Sequence, residues 1–171
     1  MPNTYNLISS NTVGSGCVVT VTFSSIPATY TDLAIKISAR SDRASTNDYF
    51  SMKFNSNSSG YTDKETYGDG NSIIQSETNN STTSAFMFII NGASTTANTF
   101  SSTDIYIPNY AAAINKSVSS LSVSENNAAS AIEGFNTNLW ANTAAITSIS
   151  FTAIGNYVQY STFSLYGVLK Y

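Results

Sequence analysis

The sequence predicts an all-β fold, an antiparallel, jelly-roll-like β-sandwich of about eight to ten strands. Three observations support this prediction. Apolar residues recur at every second position in short runs, turn-forming residues separate the runs, and no segment has the period of an amphipathic helix. A chain of 171 residues is long enough to bury a sizeable core. We therefore expect a single domain over residues 1–171.

Most of the predicted strands place apolar side chains on one face and Ser, Thr or Lys on the other, which is typical of a half-buried strand. In chain order the runs are 19–23, 33–37, 50–54, 105–107, 121–123, 149–151 and 163–165. Residues 86–90, FMFII, are apolar at every position. They predict either a central strand covered on both faces or a strand that meets another subunit. Residues 13–16, VGSG, predict a tight hairpin between the first two strands.

A long polar segment at about 56–83 interrupts this pattern. It exceeds an ordinary connection, so we expect a loop insertion that projects from one end of the domain, with a short strand near 72–76. Within it, DKETYGDGN at 63–71 carries oxygen-bearing side chains and glycines that could bind calcium, although the spacing does not match a helix–loop–helix calcium site. A plain solvated loop is the simpler interpretation.

The surface chemistry is polar but almost uncharged. Charged residues make up only 10% of the chain, the net charge is −3, and Ser, Thr and Asn supply roughly two-fifths of the residues. Short polar side chains lose little entropy when ordered, so such a surface suits packing against a partner. It is equally typical of an ordinary extracellular β-protein. No basic patch predicts nucleic-acid binding, and neither an export signal nor a spanning apolar run predicts a membrane partner.

Residue types limit the chemistry that is available. The chain has no His and one Cys, which excludes Ser–His–Asp and Cys–His catalysis, histidine metal sites and cysteine zinc sites. We expect no enzymatic activity, no metal and no cofactor. The remaining catalytic hypothesis is a carboxylate pair that hydrolyses a glycosidic bond. The candidate pairs are Asp63 with Glu65, Asp69 with Glu77, and Glu125 with Glu133, which could equally be neighbours by chance.

Aromatic and apolar residues provide the candidate contacts. Tyr and Trp beside Asn can stack on a sugar ring, and the same residues are enriched at protein interfaces. The candidate subunit or capsid contacts are Phe86, Phe88, Ile105, Tyr106, Ile107 and Tyr110. The candidate glycan contacts of the alternative hypothesis are Tyr61, Tyr67 and Trp140. For both sets, ordinary core packing is the competing interpretation.

Several phrases carry a family resemblance along the whole chain. In order they are TYNLISSNTVGSG, VTFSSIPATYTDLAIKISARSD, TANTFSSTDIYIPNYAAAINKS, ENNAA, LWANTAAITSISFTA and STFSLYGV. Together they resemble small structural proteins of tailed bacteriophages, of the marine and cyanobacterial phage type. The resemblance implies a non-enzymatic β-sandwich that decorates the head or belongs to a fibre or tail appendage. It also implies assembly around a threefold axis, and it supplies no catalytic residues.

These observations lead to two functional hypotheses. The first is a capsid decoration or cement protein that assembles as a homotrimer in the host cytoplasm, joins the virion and contacts the major capsid protein or other virion proteins. Binding only to the assembled shell would stabilise that shell by mass action. The alternative is a receptor- or glycan-binding module of a phage fibre or tail appendage, whose partner would be a host glycan.

Overall fold

The structure is a computed structural model that describes residues 4–70, 75–125, 127 and 131–169, with the backbone alone for residues 75–81. In chain order the strands of these residues are β1 (Tyr5–Thr12), β2 (Val18–Phe23), β3 (Asp32–Ala39), β4 (Asn47–Phe54), β5 (Tyr61–Gly68), β6 (Gln75–Thr82), β7 (Ala85–Asn91), β8 (Ser101–Ile107), β9 (Lys116–Glu125), β10 (Ala131–Trp140), β11 (Ile149–Tyr157) and β12 (Thr162–Val168).

The strands form two sheets that enclose a common core. The larger sheet has the order β1–β12–β3–β8–β9–β10–β5–β6, and the smaller has the order β2–β11–β4–β7. Neighbouring strands are antiparallel throughout. The all-β antiparallel sandwich is therefore confirmed, with twelve strands in the described residues rather than eight to ten.

Two hairpins, β5–β6 and β9–β10, extend the larger sheet on one side. Without them, four strands remain in each sheet, in the orders β1–β12–β3–β8 and β2–β11–β4–β7, and the chain changes sheet at every step except that from β4 to β7. The jelly-roll part of the expectation stays a prediction, which this order supports. The predicted hairpin at 13–16 is wrong, because β1 and β2 lie in different sheets and these residues turn the corner between them.

The polar segment at 56–83 is not a projecting loop. It contains β5 and β6, which pair so that Tyr61 lies opposite Thr82 and Tyr67 opposite Gln75. Tyr and Thr stand on both sides of the charged residues 63–65 in β5, and these two residue types favour a strand despite the polarity of the segment. Residues 71–74, which include the start of the expected short strand and the end of the calcium candidate, lie outside the described residues.

The core lies between the two sheets, and most of the alternating runs bury the side chains that the pattern predicted. The smaller sheet contributes Phe50, Met52, Phe54, Ile149 and Phe151, and the larger sheet contributes Leu33, Ile35, Ile37, Phe163 and Leu165. The run at 121–123 is the exception, because Leu121 and Val123 lie on the outer face of the larger sheet.

Candidate functional site

The β9–β10 hairpin has its polarity reversed relative to the rest of the sandwich. Much of its inner face is formed by buried serine and asparagine side chains: Ser120, Ser122, Ser124, Asn136 and Asn138. Val118 and Trp140 are the buried apolar residues of the same face. Its outer face carries apolar side chains that remain about half exposed: Leu121 (51%), Val123 (41%), Phe135 (48%) and Leu139 (41%). We call these four residues the outer patch.

The polar inner face has a structural cause. The smaller sheet ends at β7, and this edge strand packs against β9 and β10. An edge strand presents unpaired backbone groups, and the larger sheet supplies side chains to pair with them. The amide of Phe86 donates to Asp63 Oδ1 at 3.0 Å. The side-chain amide of Asn138, oriented to match its neighbours, donates to the carbonyl oxygen of Phe86 at 3.3 Å and to the Asp63 carboxylate.

Asp63 connects these partners. Thr82 Oγ1 donates to its second oxygen at 3.1 Å. Burial raises the pKa of Asp63, and the hydrogen bonds from Phe86 and Thr82 oppose that shift without cancelling it. Further along the strand, Ser124 Oγ donates to Asn91 Oδ1 at 2.5 Å. Asn138 and Ser124 therefore bond to the edge strand β7. Ser122 instead accepts from Thr103 Oγ1 on β8 at 3.1 Å, and the side-chain polar atoms of Ser120 and Asn136 have no hydrogen-bond partner among the described residues.

The outer patch spans neighbouring strands. Phe135 lies opposite Leu121 on β9 and opposite Thr66 on β5. Two shallow concavities flank it. One of about 430 Å³ lies between Leu139 and Tyr106, and one of about 220 Å³ lies among Tyr106, Leu121 and Phe135. The surface therefore offers both projecting side chains and recesses that such side chains could fill.

Four charged side chains of the described residues lie on or beside this face: Lys36, Asp104, Lys64 and Glu133. Lys64 lines the concavity next to Leu139, and the exposed Glu133 lies opposite Val123. Lys36 Nζ lies 2.8 Å from Asp104 Oδ2, and these exposed side chains neutralise each other. The Tyr106 hydroxyl donates to Asp32, and this hydrogen bond raises the pKa of Tyr106 to about 12. The outer face of the smaller sheet is different, since it carries hydroxyls such as those of Thr20 and Thr152, which lie 2.9 Å apart.

The predicted subunit contacts fall in three places. Tyr106 is half-buried on the outer face, where it lines both concavities. Ile105, Ile107 and Tyr110 are buried in the core, so their assignment as surface contacts is wrong. Ile105 and Ile107 lie on the inner side of β8, and the hydroxyl of Tyr110 donates to the carbonyl oxygen of Pro27.

The other two predicted contacts, Phe86 and Phe88, belong to β7. Phe86 is half-buried and its ring centroid lies 5.7 Å from that of Tyr49. Phe88 is buried, with its ring packed against Gly134 and its centroid 5.0 Å from that of Tyr67. Phe88 therefore fastens β7 to the larger sheet, and of the two only Phe86 reaches the surface.

The predicted glycan contacts also separate. Tyr61 and Trp140 are buried and stack on each other with centroids 6.1 Å apart, next to Phe54. Their assignment as exposed sugar contacts is therefore wrong. The sequence suggested loop positions, whereas Tyr61 begins β5 and Trp140 ends β10. Tyr67 is half-buried, at a cleft between β5 and β7.

The candidate carboxylates do not form a shared exposed centre. Asp63 and Glu65 are buried on the inner side of β5. Glu125 accepts hydrogen bonds from the amides of Thr96 and Asn127 at 2.7 and 2.8 Å and so fixes a loop, and Glu133 is exposed. Asp69 lies just after β5, and Glu77 is among the residues described by backbone alone.

The described residues lack both a candidate metal cluster and a membrane-spanning helix. They contain no group of three or more His, Cys, Asp or Glu side chains placed to hold a metal ion. None of their segments forms a helix long and apolar enough to cross a membrane.

The outer patch was not found by sequence reasoning. The alternation of Leu121 and Val123 with serines was visible, but it does not reveal which face is covered. The available signal was the same reversal on the partner strand, where Phe135 and Leu139 alternate with asparagines.

Comparisons of the chain with protein-family models, with curated proteins and with solved structures found no match.

Proposed function

We propose that this chain is a non-enzymatic structural protein of a phage virion, a capsid decoration or cement protein that assembles as a homotrimer. The observation that carries self-association is the outer patch, an apolar surface on a chain with so few charges. The phage assignment rests on the resemblance of the ordered sequence phrases. Partner candidates are further copies of this chain and the major capsid protein.

The occupant that best fits the outer patch is a second copy of the chain. Contiguous exposed apolar patches are uncommon on monomers and often mark interfaces. Lys36 and Asp104 are paired with each other, and Lys64 and Glu133 on the same face carry opposite signs, so the charges of the face balance. In a threefold arrangement this face of one copy meets a different surface of the next copy, and a face of balanced charge does not repel that surface. The flanking concavities border Leu121, Phe135 and Leu139. Projecting side chains of a partner can fill them, which gives the shape complementarity that interface cores require.

The exposed fractions of the four side chains determine how much free energy is gained when the outer patch is buried against another copy. Full burial of a Leu or Phe side chain contributes about 1.5–3 kcal/mol, so burying a half-exposed one contributes about 1 kcal/mol. The four side chains of the outer patch then supply about 4 kcal/mol per copy, part of which offsets the entropy lost on association. Replacing Leu121 and Phe135 by serine should remove about half of this, which weakens each interface about 30-fold.

Sedimentation velocity tests self-association directly. The wild-type chain should sediment as a trimer, and the double variant Leu121→Ser, Phe135→Ser should dissociate to monomer at the same concentration. Ile154→Ser is the matched control, since Ile154 is an exposed apolar residue in the smaller sheet, and it should leave the trimer intact. A monomeric wild type, or a double variant that stays trimeric, would contradict the proposal.

The location in the virion needs a separate measurement. Many copies on the head of purified virions would support a decoration protein, whereas a few copies on a fibre or tail would favour the receptor- or glycan-binding alternative. In that alternative Tyr61 and Trp140 are too deeply buried to contact a sugar, and Tyr67 remains as a candidate contact.

A further inference from the structure

We propose that the cleft between β5 and β7 is a binding site for a neutral sugar. This inference does not depend on self-association and goes beyond it. The larger sheet is wider than the smaller, so β5 extends past the edge strand β7. A cleft of about 470 Å³ lies where the inner side of β5 meets β4 and β7, and we call it the edge cleft. Its volume falls within the range of about 300–1,000 Å³ typical of small-molecule sites.

Aromatic rings form the apolar part of the edge cleft. Tyr49, Tyr67 and Phe86 line it and are all half-buried, so each retains an accessible portion. Phe88 lies beneath them, with its ring centroid 5.0 Å from that of Tyr67 and 6.3 Å from that of Tyr49. Rings that pack on a buried ring in this way are held in position before a ligand arrives, which lowers the entropic cost of binding.

Hydrogen-bond acceptors form the polar part. Asn47 Oδ1 is inaccessible to solvent and has no hydrogen-bond partner among the described residues. The carboxylates of Glu65 and Asp69 line the same cleft. A buried acceptor without a donor is costly, and a rotation of the half-buried Asn47 side chain toward the cleft would let a hydroxyl group of a ligand satisfy it. The edge cleft therefore suits a molecule with several hydroxyl donors and a C–H face that packs on aromatic rings.

A neutral ligand fits better than an anionic one, because the carboxylates of Glu65 and Asp69 line the edge cleft. The guanidinium carbon of Arg43 lies 5.8 Å from the Tyr49 ring centroid, and Arg43 Nη1 lies 3.5 Å from Asp48 Oδ1. Arg43 therefore already provides a cation–π contact at Tyr49. A pyranose offers hydroxyls to Asn47 and Glu65 and a C–H face to Tyr67.

The experiment screens the full chain against an array of immobilised neutral oligosaccharides and measures the best binder by titration. Asn47→Ala should weaken binding about tenfold, the loss expected when one hydrogen bond to a buried group is removed. Tyr67→Ala should abolish it, and Tyr67→Phe, which keeps the ring, should retain it. Tyr160→Ala is the matched control, because Tyr160 is an exposed tyrosine outside the edge cleft.

The variants must keep the wild-type thermal midpoint, and the Asn47→Ala result stands alone if Tyr67→Ala unfolds. Three outcomes would overturn the sugar site: no array member binds at millimolar concentration, binding persists in both Asn47→Ala and Tyr67→Ala, or only a cationic probe such as N-acetylarginine methylamide binds. Sedimentation of the same samples reports self-association independently, so either proposal can fail without the other.

Discussion

Gly134 of the β9–β10 hairpin packs against the Phe88 ring of the edge strand β7, and Gly134→Ala tests whether this packing requires a glycine. A Cβ on residue 134 would lie 2.0 Å from Phe88 Cδ1 and 2.6 Å from Cγ and Cε1. Carbon atoms pack at about 3.5–4.0 Å, so the ring would have to move by roughly 1.5 Å. Phe88 is buried between Gly134 and Tyr67, which leaves little room for that movement.

Overpacking a core typically costs about 1–3 kcal/mol, and the severity of this overlap places Gly134→Ala at about 3 kcal/mol. For a chain of this length, each kcal/mol lowers the thermal midpoint by about 2–4 °C, so we expect a decrease of about 6–12 °C. Circular dichroism melts would measure it. Gly14→Ala is the matched control, because nothing lies within 4 Å of its added Cβ, and it should change stability by less than about 0.5 kcal/mol.

A double-mutant cycle identifies the cause. Phe88→Ala removes all three overlapping atoms, Cγ, Cδ1 and Cε1, so Gly134→Ala should cost about 1–2 kcal/mol less in that background than in the wild type. An unchanged thermal midpoint for Gly134→Ala, or an equal penalty in both backgrounds, would refute the packing argument.

Three further changes test other contacts. Burial raises the pKa of the Asp63 carboxyl above its ordinary value of 3.8. The folded state therefore binds its proton more tightly than the unfolded state, and the free energy of unfolding should fall as pH rises from 3.8 through the folded-state pKa. Urea melts of Asp63→Asn should lack that decline. Tyr61→Phe removes the acceptor of the Phe54 amide at 2.9 Å and should cost about 1–3 kcal/mol in the same melts. Arg40 donates to five oxygens in the loop 93–99, so Arg40→Lys should speed amide exchange there, and unchanged rates would count against this role.

The recurrence of apolar residues at every second position predicted most strands, because this alternation depends only on neighbouring residues. Ile35 and Ile37 alternate with Lys36 and Ser38, and they are buried as expected. The same pattern failed for Leu121 and Val123, since the period reveals two faces but not which one meets the core. That choice depends on β7, an edge strand distant in sequence whose backbone needs polar partners.

The candidate sites were harder to predict for a related reason. Tyr61 and Trp140 stand beside polar residues in the sequence and look like loop aromatics. In the structure they stack on each other across the paired strands β5 and β10. The edge cleft likewise combines Asn47 from β4 with Tyr67 from β5 and Phe86 from β7. Proximity of this kind is set by sheet order, which one sequence does not specify.

The pairing of β1 with β12 has a consequence for biosynthesis. Among the described strands β1 pairs only with β12, and β2 only with β11. Ribosomes release the N-terminal strands first, so these two edges remain unpaired until nearly the whole described chain has emerged. Such distant pairings slow folding, and exposed strand edges favour aggregation of unfinished chains. A lower expression level, which reduces the concentration of unfinished chains, should therefore raise the yield of native protein.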